Sequence, residues 1–231
     1  MSLPSYLWND VDALLEYEKK RWVTRAEYLR VKGDPTASFL TGTNVECIYA
    51  SHNAGTAKAS FTSEVQINDT TGMGTQAKLP ADFFLPGATS QGRALRIHAR
   101  GILSSTGTPT YTFTIRSGAA GSTTTAIMLG SAALTTGSGV SNQMWELEGD
   151  VVVVTMGAAG TNSTIRGIGL IASGGLASPF TYPVWGGAAS PGTATTFDTS
   201  IVNFINFNVA CSASSASNTI TIQQLILFGL N

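Results

Sequence analysis

The sequence predicts a mainly β chain: an antiparallel β-sandwich of jelly-roll type, preceded by an N-terminal amphipathic α-helix. Three observations predict it. From Thr43 onward, short runs alternate apolar and polar residues with a period of two. Clusters of Gly, Pro, Ser and Asn separate those runs at near-regular spacing. The first ~34 residues, by contrast, hold close to half of the charged side chains and follow a helical period.

The helix is predicted from about Tyr6 to Trp22, reaching toward Leu29. Leu7, Val11, Leu14, Leu15 and Trp22 keep near-helical spacing on one face. Asp10 and Asp12 lie early and Lys19, Lys20 and Arg21 late, which suits the helix dipole. Gly33-Asp34-Pro35 ends it, so residues 1–34 read as a helical arm and 35–231 as the β domain. The apolar stripe, with Trp8 beside it, needs a surface. That surface is either the chain's own sheet or a partner protein.

Val45 to Ala50 reads as the first strand. Phe61, Ser63, Val65 and Ile67 alternate with polar residues and read as the next. Ala81 to Gly87 reads as a turn that buries Phe83 and Phe84. In RALRIHARGILSSTGTPTYTFTIR, from Arg93 to Arg116, Leu95, Ile97 and Ala99 alternate with Arg96, His98 and Arg100, and Tyr111, Phe113 and Ile115 alternate with threonines. The Ser/Thr/Gly/Pro cluster between them predicts a hairpin with one wet face. Gly118 to Ser122 reads as a connector and Ala126 to Leu129 as a weak strand. Gln143 to Thr155 reads as a strand pair or one long bent strand, with a turn or bulge at Gly149-Asp150. Arg166 to Ala172 alternates imperfectly. Phe197 to Val209 is predicted to pair with Asn218 to Phe228 as a second hairpin. Gln223-Gln224 suggests a register change.

Composition limits the function classes. Of 231 residues, 43% are hydrophobic and only 12% charged, against about 25% in ordinary soluble domains. A surface of Ser, Thr, Asn, Gly and Ala costs little to desolvate and suits permanent association. Strand edges without Lys invite pairing with another chain. The net charge of −1 supplies no field toward nucleic acid or an anionic membrane, and neither is expected as a partner. The N-terminal stretch has neither the cationic start nor the apolar run of a signal peptide. Cys47 and Cys211 sit in apolar runs and read as buried free thiols, with a bridge between them left open.

Catalytic chemistry is not expected. Neither His52, in a loop, nor His98, on a polar strand face, has a neighbouring group to orient it. No nucleophile elbow, metal-ligand spacing or phosphate loop appears, so no cofactor, no metal and no catalytic residue is predicted. Glu146, Glu148 and Asp150 share one strand face. They read either as a Ca²⁺ site or, the favoured reading, as ion-pair partners of Arg96, Arg100 or Arg116. Phe180, Tyr182 and Trp185, with Pro179 and Pro183 and flanking glycine pairs, read as an aromatic-proline loop that caps the sandwich core or anchors an interface, the favoured readings, or stacks on sugar rings as a glycan-binding tip.

Four blocks carry a resemblance: Leu79 to Phe84, Gly92 to Gly101, Thr106 to Thr110, and Trp145 to Gly149. Together they resemble a recurrent module of tailed-bacteriophage structural proteins over about Gln76 to Ala172. The resemblance implies a jelly-roll virion protein, such as a capsid decoration (cement) protein, a head-fibre base or a minor tail component. It carries no active-site residues.

The expected function is therefore a non-enzymatic virion structural protein. It would be a homotrimer that binds the major capsid protein as a decoration protein and is assembled in the host bacterial cytoplasm. The alternative is a tail, head-fibre or receptor-binding module that binds carbohydrate. Deleting residues 1–34 is expected to leave a folded β domain that no longer attaches to particles; circular dichroism and co-sedimentation measure the two outcomes.

Overall fold

The computed structural model describes residues 45–84, 93–119, 126–157, 162–177, 182–185 and 193–230. The predicted arm, 1–34, and the connector from Ala120 to Ser122 lie outside them. In chain order the strands are β1 (Val45–Ser51), β2 (Lys58–Ala59), β3 (Val65–Gln66), β4 (Lys78–Leu79), β5 (Ala94–Ser105), β6 (Thr110–Gly118), β7 (Ala126–Ser131), β8 (Leu134–Thr135), β9 (Val140–Thr155), β10 (Ser163–Ser173), β11 (Tyr182–Trp185), β12 (Thr193–Phe197), β13 (Asn203–Cys211) and β14 (Thr219–Leu230). One short helix, α1 (Thr70–Met73), follows β3. The domain is mainly β, and its strand pairings are antiparallel.

The strands form one continuous path, β1-β14-β5-β9-β10-β11-β7-β6-β13-β3. That path folds over into two layers. β1, β14, β5, β9 and β10 form the first, and β7, β6, β13 and β3 the second. β11 pairs with β10 on one side and β7 on the other, closing one flank. The layers meet through Trp145 of β9, whose ring lies 5.3 Å from Phe113 of β6 and 5.4 Å from Phe207 of β13. Neither strand neighbours β9 in the path, so these contacts cross the core. The Trp145 indole N–H has no acceptor among the described residues. The ring's role here is area and shape.

Alternation appears as predicted in β5, where Leu95, Ile97, Ala99 and Leu103 are buried and Arg96, His98 and Arg100 face outward. In β6, Tyr111, Phe113 and Ile115 are buried. The predicted hairpin between them is absent. β5 pairs with β14 and β9, whereas β6 pairs with β13, β7 and β8. Ser104 to Pro109 is an arch between layers, held by the Tyr111 hydroxyl donating to the Ser104 carbonyl (3.1 Å) and the Thr106 amide donating to Asn218 Oδ1 (2.9 Å). Gly107 supplies the arch's positive φ of 69°. The second predicted hairpin fails in the same way: β13 pairs with β6, and β14 with β1 and β5. Period two identifies a buried face but not the neighbouring strand, and two strands lining the same core from opposite layers carry the same pattern.

Other differences are local. β9 runs straight through Gly149-Asp150 as one strand. The Phe61 to Asn68 run yields only the two-residue β3, with Phe61 and Ile67 buried from irregular backbone. Asn206 and Asn208, which alternate with the apolar Ile205, Phe207 and Val209, are buried as well: Gln76 donates to Asn206 Oδ1 at 3.0 Å, and Asn68 bonds the backbone of Ile205 and Phe207. Cys47, expected to be buried, is exposed on β1, which has one strand neighbour among the described residues; Cys211 is buried, and both thiols are free. Phe83 and Phe84 are buried, as expected, and the register shift at Ile222/Gln224 is present.

Asp69 caps α1 by accepting from the Gly72 amide (2.9 Å) and also holds Lys58 (2.9 Å) and both Thr56 donors. Burial alone would raise its pKa. The Gly72 amide, Lys58 and Thr56 overcome that and hold it at about 2.

The close approach of β5 to β14 and to Trp145 requires a glycine at 101. A Cβ there would lie 2.0 Å from the Thr221 carbonyl oxygen and 2.6 Å from the indole ring. Gly101→Ala is expected to destabilise the domain by roughly 1–3 kcal/mol, the range of core overpacking, read as a lowered urea midpoint with an unchanged slope.

Candidate functional site

The outer face of β5, β9 and β10 carries a row of charged side chains beside exposed apolar ones. The registers align them in three rungs across the strands: Arg96–Asp150–Ile168, His98–Glu148–Leu170 and Arg100–Glu146–Ala172. Each carboxylate thus has a basic residue on one side and an apolar one on the other. A shallow depression of about 400 Å³ lies along β9 and β10, lined by Glu146, Glu148, Asp150, Ile168, Leu170 and Ala172 among others.

The charged half is bonded within the chain. Arg96 makes a two-point pair with Asp150, with Nε and Nη2 each 2.8 Å from a carboxylate oxygen. Arg100 donates to Glu146 Oε1 from Nε (3.0 Å) and Nη2 (2.8 Å). His98 leans past its own rung to place Nε2 2.6 Å from the same oxygen. An ionised carboxylate only accepts, so Nε2 carries the proton in that bond. His98, then Arg100, pull the Glu146 pKa below the ordinary carboxylate range against the opposing effect of burial. Glu148 is left with the loosest partner, Arg96 Nε at 3.7 Å, and its side chain is 56% exposed.

The ion-pair reading of the acidic row therefore holds for Arg96 and Arg100. Arg116 pairs elsewhere, with Glu64 at 2.7 and 2.9 Å. Among the described residues no group of three His, Cys, Asp or Glu is placed to hold a metal ion. His52 sits in a loop, as expected, and its Nδ1 accepts from the Gln224 amide at 2.7 Å.

The apolar half was not foreseen. Met144, Val152 and Val154 of β9 and Ile168 and Leu170 of β10 all lie on this outer face, with Ile168 63% and Leu170 54% exposed. Val202 is the one other exposed large apolar side chain among the described residues. The cause lies in how β10 alternates: Ile165 and Ile171 point into the core, and glycines fill the inward positions between them. The inward positions of β10 include Gly167, where a Cβ would lie 2.0 Å from the Met128 carbonyl oxygen of β7. At Gly169 a Cβ would lie 2.2 Å from the Glu148 carbonyl oxygen. Neither position has room for a side chain, and the outward positions beside them hold Ile168 and Leu170. The imperfect alternation of Arg166 to Ala172 was the available signal.

Of the residues picked from sequence, Leu7, Trp8, Val11, Leu14, Leu15, Trp22 and Phe180 lie outside the described residues. Tyr182 and Trp185 belong to a strand rather than a loop. In β11, Trp185 is in register with Ile168 and Pro183 with Leu170. β7 reaches only Val184 and Trp185, so the missing N–H of Pro183 falls beyond that pairing.

The depressed Glu146 pKa has a stability consequence. A carboxylate with a lowered folded-state pKa contributes stability above its unfolded value, and that contribution is lost as pH falls through the folded value. Wild-type protein is therefore expected to exceed Glu146→Gln in urea midpoint at neutral pH. The gap should close as pH is lowered through and below the carboxylate range; a gap independent of pH would refute the assignment.

No family model matches the chain, and no curated protein matches it. Among solved structures it is weakly similar to the CBM2 module of the evolved Dit of Lactobacillus casei BL23 phage J-1, at 10% identity. That superposition covers 83% of this chain and 98% of the other, with a TM-score of 0.26, which does not establish a common fold.

Proposed function

We propose that the chain is a non-enzymatic structural protein of a bacteriophage virion, a jelly-roll module that works by lateral association. The observation that carries this reading is the outer face of β10, where Ile168 and Leu170 stand exposed while the inward positions beside them, Gly167 and Gly169, have no room for a side chain. Full burial of either side chain is worth about 1.5–3 kcal/mol, so their exposure is explained by a surface that covers them in the assembled state.

Strand order supports the jelly-roll part. Take β1, β3, β5, β6, β7, β9, β13 and β14 as eight principal strands in chain order. One layer then reads first, eighth, third, sixth, and the other second, seventh, fourth, fifth. This is the order of two interleaved Greek keys wrapped into a sandwich. The virion part is supported by the blocks from Leu79 to Gly149 and by a surface that is cheap to desolvate. Placement on the head as a decoration protein is the first assignment, and many weak contacts repeated over symmetric neighbours would give it tight attachment.

The test mixes purified full-length chain with separated heads and tails of the phage that encodes it. Co-sedimentation with heads is the expected result, and Leu170→Asp is expected to weaken it by at least about tenfold as multivalent attachment is lost. Binding to tails alone would move the protein there. Binding to neither, or turnover of a polysaccharide, would overturn the reading.

A further inference from the structure

We infer that the outer face of β9 and β10 binds a second copy of this chain about a two-fold axis lying across the strands at the level of Ile168. This rests on the reading of that face as an association surface. The face carries its own complement. One rung below Ile168 on β10 stands Arg166, exposed and without an ion pair among the described residues, flanked by Val152 and Thr193. One rung above, on β9, stands Glu148, the carboxylate that His98 bypasses in favour of Glu146. The two charges stand at equal steps on opposite sides of the Ile168 rung, on adjacent strands. Rotation about an axis at that rung carries Arg166 of one copy to the level of Glu148 of the other, displaced sideways by one strand spacing of about 4.8 Å. Two such pairs form at once, as an isologous contact requires.

The same rotation sets Ile168 on its own counterpart and lays Leu170 against the aliphatic stem of the opposing Arg166. Asp150 meets its own copy, but each is already neutralised by the two-point pair from Arg96. Apolar burial supplies the affinity, and the Arg166–Glu148 pairs fix the register. A heterologous partner has no reason to need a cation and a carboxylate placed symmetrically about one isoleucine.

The experiment measures the mass of the full chain in solution by sedimentation velocity across a concentration series. An even-numbered species, a dimer or a pair of trimers of the 24.0 kDa chain, is expected. Glu148→Arg alone and Arg166→Glu alone should each raise the dissociation constant at least roughly tenfold, and the two together should restore it. Circular dichroism confirms that these exposed substitutions leave the fold intact. A monomer or a lone trimer overturns the inference, as does a double variant no tighter than the singles. A monomer that still co-sediments with heads would remove the two-fold contact and leave the virion reading standing; a dimer that binds no particle would do the reverse.

Discussion

Trp145 is packed between a glycine and two phenylalanines, and the two layers meet around it. Its ring faces Phe113 and Phe207 across the core and Gly101 beside it in its own layer. A side chain at 101 would displace either the ring or β14, whose carbonyl already occupies that space. The outward presentation of the acidic row follows from seating this one ring. Because residues on a strand alternate between faces, an inward Trp145 and Leu147 oblige Glu146, Glu148 and Asp150 to point out.

Much of this was readable from the chain. The faces of β5 and β6, the burial of Phe83 and Phe84, the register shift in β14 and the pairing of the acidic row with Arg96 and Arg100 all follow from local alternation and charge. What was unreadable is who sits beside whom. Residues 93–116 look like a hairpin because both arms have one apolar face, yet the arms line the core from opposite sides. Local pattern holds no information that separates a turn within a sheet from an arch between sheets. The buried Asn206 and Asn208 show the same limit: polar residues on the reverse of a strand are wet unless another segment covers them, and here the segment around Asn68 and Gln76 does. The arm predicted over residues 1–34 and Phe180 lie outside the described residues.

The outer face shows two ways of handling exposed groups. On β5 and β9 the charges are mostly satisfied internally, so they repel nothing and attract little. On β10, Ile165 and Ile171 fill the core, while Ile168 and Leu170 stand outside, beside glycines at the inward positions 167 and 169. Between these regimes stand Glu148 and Arg166, each only loosely engaged. A surface with its strong charges cancelled and its weak ones left over selects partners by geometry more than by long-range attraction.

β14 is inserted between β1 and β5, although it is the last strand described and β1 the first. During synthesis, therefore, the opening strands of the first layer emerge long before the one that joins them. Until it arrives, β1 lacks its one strand neighbour among the described residues and one side of β5 stands open. The module cannot mature piece by piece as the ribosome proceeds; it must close in a late, concerted step. Chains that stop short of β14 would leave both β1 and β5 with unpaired backbone.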